Sequence, residues 1–119
     1  MKNPQELLNE LRQFTGTTVW YKHPLYAKCV YTEGVRHLAI NAECYWLLDY
    51  IFSNQRLSVI AAEEFQVWTI TKDGSKAIIT VGNGNDNIVK TFSLPYTSFP
   101  LEEYTLWMIQ GRLILKSEY

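Results

Sequence analysis

Residues 41–54 read Asn-Ala-Glu-Cys-Tyr-Trp-Leu-Leu-Asp-Tyr-Ile-Phe-Ser-Asn, and their apolar members recur at helical spacing around most of a circumference. Cys44, Leu47, Leu48, Ile51 and Phe52 follow the i, i+3, i+4, i+7, i+8 pattern of a core-facing stripe, and Tyr45, Trp46 and Tyr50 widen that arc. Only Glu43, Asp49 and Ser53 suit water. A helix apolar on so many sides must be enclosed, under a partner or in the concavity of a sheet, so the rest of the chain has to supply a cover. Asn41 is placed to cap this helix, with Glu43 in its first turn where exposed N–H groups favour a negative charge.

The sheet is legible downstream. Residues 65–71 and 76–81 are β-branched and aromatic runs around Asp73-Gly74, a strong hairpin signal. A turn-rich loop, Gly82-Asn83-Gly84-Asn85-Asp86, leads into a third antiparallel strand over 87–94. Pro95 and Pro100 bracket a rigid loop, and residues 104–109 and 112–115 make a terminal hairpin about Gln110-Gly111.

Upstream, Asn3-Pro4-Gln5-Glu6 opens a helix with a capping residue, a proline at its first position and a carboxylate able to reach back. Leu7, Leu8, Leu11 and Phe14 form its stripe and Gly16 its terminator, which predicts a helix over 4–14. Residues 17–21 and 25–31 read as strands separated by His23-Pro24, Thr32-Glu33-Gly34 as a turn, and 35–40 as a return strand. Residues 55–64 have no clear period and fit a connection, a short strand or a helical turn. The expected architecture is α+β, a twisted, mostly antiparallel sheet carrying an N-terminal helix and the central apolar helix, in one domain spanning 1–119.

Composition excludes several function classes. With 47% hydrophobic and 19% charged residues the chain has the balance of a folded globule. Its net charge is −1 and its basic residues are scattered, which disfavours nucleic acid, since duplex binders cluster Lys and Arg against phosphates. No apolar run is long enough to span a bilayer and no secretory leader is visible, so a cytoplasmic location with no membrane partner is expected. Cys29 and Cys44 lack Cys-x-x-Cys spacing and read as two buried thiols.

Catalytic constellations are scarce. Cys44 with His37 imitates a thiol and its base, but Cys44 lies on the apolar stripe and reads as structural. His23 and His37 are too few, and wrongly spaced, for a metal site, so neither a metal nor a cofactor is expected. The 82–86 loop lacks the helix N-terminus of a phosphate loop and the ligand register of a calcium loop. The aromatics are more suggestive: 4 Trp and 8 Tyr bring polar-tipped rings suited to partly open sites.

Several phrases in order along the chain are similar to a family of small uncharacterised bacterial proteins, a domain of unknown function. They are Phe14-Thr15-Gly16-Thr17, Tyr31-Thr32-Glu33-Gly34-Val35, Tyr45-Trp46-Leu47-Leu48-Asp49, Glu64-Phe65-Gln66-Val67-Trp68, Phe99-Pro100-Leu101 and Ser117-Glu118-Tyr119. The resemblance brings no activity or site with it. The residues themselves favour a non-enzymatic cytoplasmic binding or protein-interaction module, whose candidate binding surface comprises Tyr31, Glu33, Arg36, His37, Tyr45, Trp46 and Asp49. The alternatives are a small enzyme with Glu33, His37 and Asp49 as its acid–base set, or an aromatic-stacking nucleotide or single-strand binder. The partner is a protein or a small molecule, and homodimerisation through an exposed apolar helix or strand edge is a further alternative.

Overall fold

The computed structural model describes residues 3–16, 19–26, 28–85 and 87–119. The expected strands over 17–21 and 25–31 and the loop over 82–86 therefore fall partly outside the described residues, at Thr17, Thr18, Ala27 and Asp86. Among the described residues four helices, α1 (Pro4–Leu11), α2 (Glu33–Asn41), α3 (Tyr45–Ser53) and α4 (Ser58–Ala61), accompany seven strands. The strands are β1 (Trp20–Lys22), β2 (Val30–Thr32), β3 (Phe65–Asp73), β4 (Lys76–Gly82), β5 (Ile88–Leu94), β6 (Glu103–Ile109) and β7 (Arg112–Leu115). Among the described residues they form one open sheet in the order β1-β2-β7-β6-β3-β4-β5, antiparallel at every pair except β2 with β7. The fold is thus α+β with a mostly antiparallel sheet, as the hydrophobic pattern predicts.

Both hairpins form where turn chemistry places them. β3 and β4 pair from Val67↔Gly82 to Asp73↔Lys76, leaving Gly74-Ser75 as the loop, with Gly74 at φ +63°. β6 and β7 turn at Gln110 (φ 49°) and Gly111 (φ 83°), the paired positive φ that a tight type I′ turn requires. The helix α1 starts as expected, with Asn3 accepting from the Gln5 N–H at 2.8 Å, but stops at Leu11, short of Phe14 and Gly16.

Besides the expected strand over 25–31, of which only Val30 and Tyr31 belong to β2 while the described residues 25, 26, 28 and 29 lie outside it, two expectations are overturned. Residues 35–40, read as a strand, are the body of α2. Val35, Leu38 and Ala39 are fully buried while Arg36 and Ile40 face solvent, a period of 3.6 and not 2. Thr32, read as part of a turn, caps this helix by accepting from the Val35 N–H at 3.1 Å. The second correction concerns the central helix, which begins at Tyr45 and not at Asn41. The chain breaks there in a Schellman turn: the Cys44 N–H bonds the Ala39 carbonyl at 2.9 Å and the Glu43 N–H the Ile40 carbonyl at 3.3 Å, with Glu43 at φ 51°. Residues 55–64 resolve into a 3-10 turn at Asn54–Arg56 followed by α4.

The core lies between the helices and one face of the sheet. Leu47, Leu48, Ile51 and Phe52 of α3 are buried, with Leu47 and Ile51 lying over Trp68, Ile70, Ile79 and Leu106. Cys44 is fully buried and its thiol points at the Leu38 carbonyl, 3.7 Å away. Gln66 is buried in the same layer, and its amide is satisfied by Gln55, the Ile60 and Glu63 carbonyls and the Trp68 indole. No helix among the described residues is long and apolar enough to cross a membrane.

Candidate functional site

The seven residues singled out in the sequence do not form one constellation. Tyr31 is buried on β2, its ring stacked on Tyr21 at 5.7 Å and 6.3 Å from Phe52. Arg36 lies over the Tyr21 ring at 4.9 Å. Burial, then the neighbouring Tyr45, raises the Tyr31 pKa, with Arg36 opposing and Asp49 adding a smaller push, so these side chains share one corner between β1, β2 and α3. His37 points elsewhere: its Nε2 meets Glu10 of α1 at 2.6 Å and its ring packs on Phe14. Asp49, 59% exposed, pairs with His23, and Glu33 sits half-buried in the first turn of α2. The acid–base set Glu33, His37 and Asp49 is therefore not assembled, because His37 and Asp49 have separate internal partners.

His23 is a residue whose role the sequence did not reveal. Its Nδ1 accepts the Leu25 N–H at 3.0 Å, which leaves Nε2 to carry the proton and donate to Asp49. Both ring nitrogens are engaged, and the ring edges against Phe52 at 5.5 Å and tilts on Tyr26 at 4.8 Å. The imidazole fastens the β1–β2 connection to α3. Trp46 lines an open depression of about 340 Å³ with Leu25, Tyr26, Asp49, Tyr50 and Ser53.

The larger concavity, about 510 Å³, lies on the sheet face that the helices leave bare. Alternation along the strands sends Trp68, Ile70, Leu106 and Met108 to the core and Phe65, Val67, Thr69, Thr105 and Trp107 to this opposite face. Register aligns Thr80, Thr69 and Thr105 across β4, β3 and β6, with the hydroxyls of Thr69 and Thr105 3.1 Å apart. The next row places Val67 between Gly82 and Trp107, and Phe65 tilts on Trp107 with centroids 5.1 Å apart. The result is a polar step beside an apolar shelf.

Glycines set one wall. A Cβ at Gly82 would stand 2.9 Å from the Asn87 carbonyl, and one at Gly84, already at φ +87°, would stand 3.0 Å from the Phe65 ring. The loop between β4 and β5 can therefore close against Phe65 and present Asn87 and Ile88, the latter 60% exposed. The other wall is the C-terminal 3-10 turn: Lys116 holds its ammonium 5.9 Å above Trp107, and Tyr119 meets the same indole edge-on at 5.2 Å. That turn is anchored by Glu118, which accepts from the Thr32 hydroxyl (2.5 Å), the Leu115 N–H (3.0 Å) and the Gly34 N–H (3.3 Å) at the start of α2.

Sequence reasoning placed its candidate surface between Tyr31 and Asp49 and missed this cleft. The signal is present in β3 and β6, whose apolar residues occupy both parities: a face meant only for solvent does not need Phe65, Val67, Trp107 and Ile109. A model for a family of unknown function (DUF6876) matches residues 5–119. No curated protein and no solved structure matches the chain.

Proposed function

We propose that this chain, which belongs to that family of unknown function, is a non-enzymatic binding module whose ligand lies on the bare sheet face. The observation that carries the reading is the shelf of Phe65 and Trp107, 5.1 Å apart and facing outward, in a cleft of about 510 Å³. That volume falls within the range of small-molecule sites, and its mix of apolar floor and few convergent polar groups is the usual composition of such sites. The described lining holds hydroxyls, an amide and an ammonium but no imidazole, thiol or carboxylate, which favours holding a ligand over transforming it. Two free, buried thiols are consistent with a reducing compartment, and we place the protein in the cytoplasm. Residue-resolved NMR titration with a library of small aromatic compounds tests the proposal. Binders should shift Thr69, Thr80, Thr105 and the Trp107 indole, and Trp107→Leu should weaken them at least tenfold; hits that leave all four signals unmoved would sink it.

One observation favours a second use of the surface. Leu25, 80% exposed, stands beside Trp46 and Tyr26 in the smaller depression. A second copy of the chain docking there would bury these rings. Light scattering should then give twice the monomer mass, reverting to the monomer in Leu25→Asp.

A further inference from the structure

The charge in the bare-face cleft narrows the chemistry of its occupant. We infer, building on the binding reading above, that the ligand is a small apolar or aromatic monoanion, a carboxylate whose charge meets Lys116 while its ring lies along Phe65 and Trp107. Lys116 is the one charged side chain in the described lining, and it makes no salt bridge among the described residues. The nearby Glu118 carboxylate is turned away from it, committed to Thr32, Leu115 and the start of α2. An ammonium brings three donors and no acceptor, so an anion is its natural complement.

The alternatives fit less well. A cationic ligand would seek the Trp107 face that Lys116 already covers, and like charges would repel there. A phosphate ester calls for several cations or a helix N-terminus, whereas the cleft offers one lysine and the start of α2 is closed by Thr32 and Glu118. A single carboxylate matches a single ammonium. The threonine row supplies the second contact: of the Thr69–Thr105 pair one hydroxyl donates to the other, so the accepting hydroxyl keeps its own proton free for a carboxylate oxygen. The chain carries a net charge of −1, so affinity for the anion rests on this local pairing and not on a long-range field.

The test uses the full chain with 2-naphthoate and its neutral counterpart 2-naphthamide, followed by residue-resolved NMR. Naphthoate should bind at least fivefold tighter than the amide, with shifts at Trp107, Thr69 and Thr105. Lys116→Met, which keeps the alkyl stem on the indole, should bring naphthoate down to the affinity of the amide and leave the amide unchanged, and Lys116→Arg should restore the difference. Lys116 is exposed, so these variants should keep the wild-type shifts of buried Ile79 and Leu48. Equal binding of the two probes, unaltered in Lys116→Met, would overturn the anion assignment while leaving the cleft as a binding site. Shifts confined to other surfaces, or none with either probe, would overturn both.

Discussion

At Gly34 the structure reverses the usual arithmetic of a helical glycine. Replacing glycine by alanine inside a helix ordinarily gains up to ~1 kcal/mol. Here the added Cβ would stand 2.6 Å from Leu115 Cδ1 and 2.8 Å from Glu118 Oε1. Neither atom can yield cheaply, since Leu115 is fully buried and Glu118 is held by three donors. Overpacking of this kind costs ~1–3 kcal/mol. Gly34→Ala should therefore be destabilising on balance, read as a lower urea midpoint with an unchanged slope. The neighbouring Thr32, which both caps α2 and donates to Glu118, explains why this position joins residues 86 apart in the chain.

The joint between α2 and α3 is the element whose form the sequence concealed. A Schellman turn normally has glycine at its left-handed position, and this chain has Glu43 there, exposed and at φ 51°. Without that punctuation the sequence shows no break in the apolar period after residue 41. A left-handed L-residue costs ~1–2 kcal/mol, while glycine costs ~0.5–1 kcal/mol in added freedom of the unfolded chain. Glu43→Gly should thus stabilise the protein by about 0.5 kcal/mol, seen as a small rise in the thermal midpoint. The stripe of Cys44, Leu47, Leu48, Ile51 and Phe52, by contrast, was legible and is buried as expected, because a helix needs only its own spacing to declare a core face. Tyr45, at the first position of α3, stays 44% exposed.

For the whole molecule the buried acids set an alkaline limit. Burial pushes the Cys44 thiol up to about 12 from 9.0, and burial with the nearby Glu118 carboxylate pushes Tyr104 up to about 12 from 10.0. Cys29, Tyr31 and Tyr50 are raised in the same direction by burial. Each group keeps its proton in the native state after the unfolded chain has lost it, so stability is fully present below pH 9 and falls as pH rises toward 12. The slope contributed by each such proton is ~1.4 kcal/mol per pH unit. Urea midpoints at pH 9, 10 and 11 should decline in that order, and the decline between 9 and 10 should become shallower in Cys44→Ala.

What the sequence alone determined follows from local rules. Turn residues at Gly74 and Gln110-Gly111 fixed the hairpins, alternation sorted the residues of β3 and β6 into two opposed faces, and helical period fixed the buried stripe of α3. Each of these depends on neighbours a few residues away. The tertiary structure decided what depends on distant partners: that His37 turns to Glu10 and Asp49 to His23, that Glu118 closes the start of α2, and that β2 joins the sheet through a parallel contact with β7. It also decided the candidate site. Strand pairing brings Phe65, Thr80, Thr105, Trp107 and Lys116 from four separate segments onto one face, and which face the helices cover is settled only when the chain packs, since alternation marks two faces without saying which one stays bare.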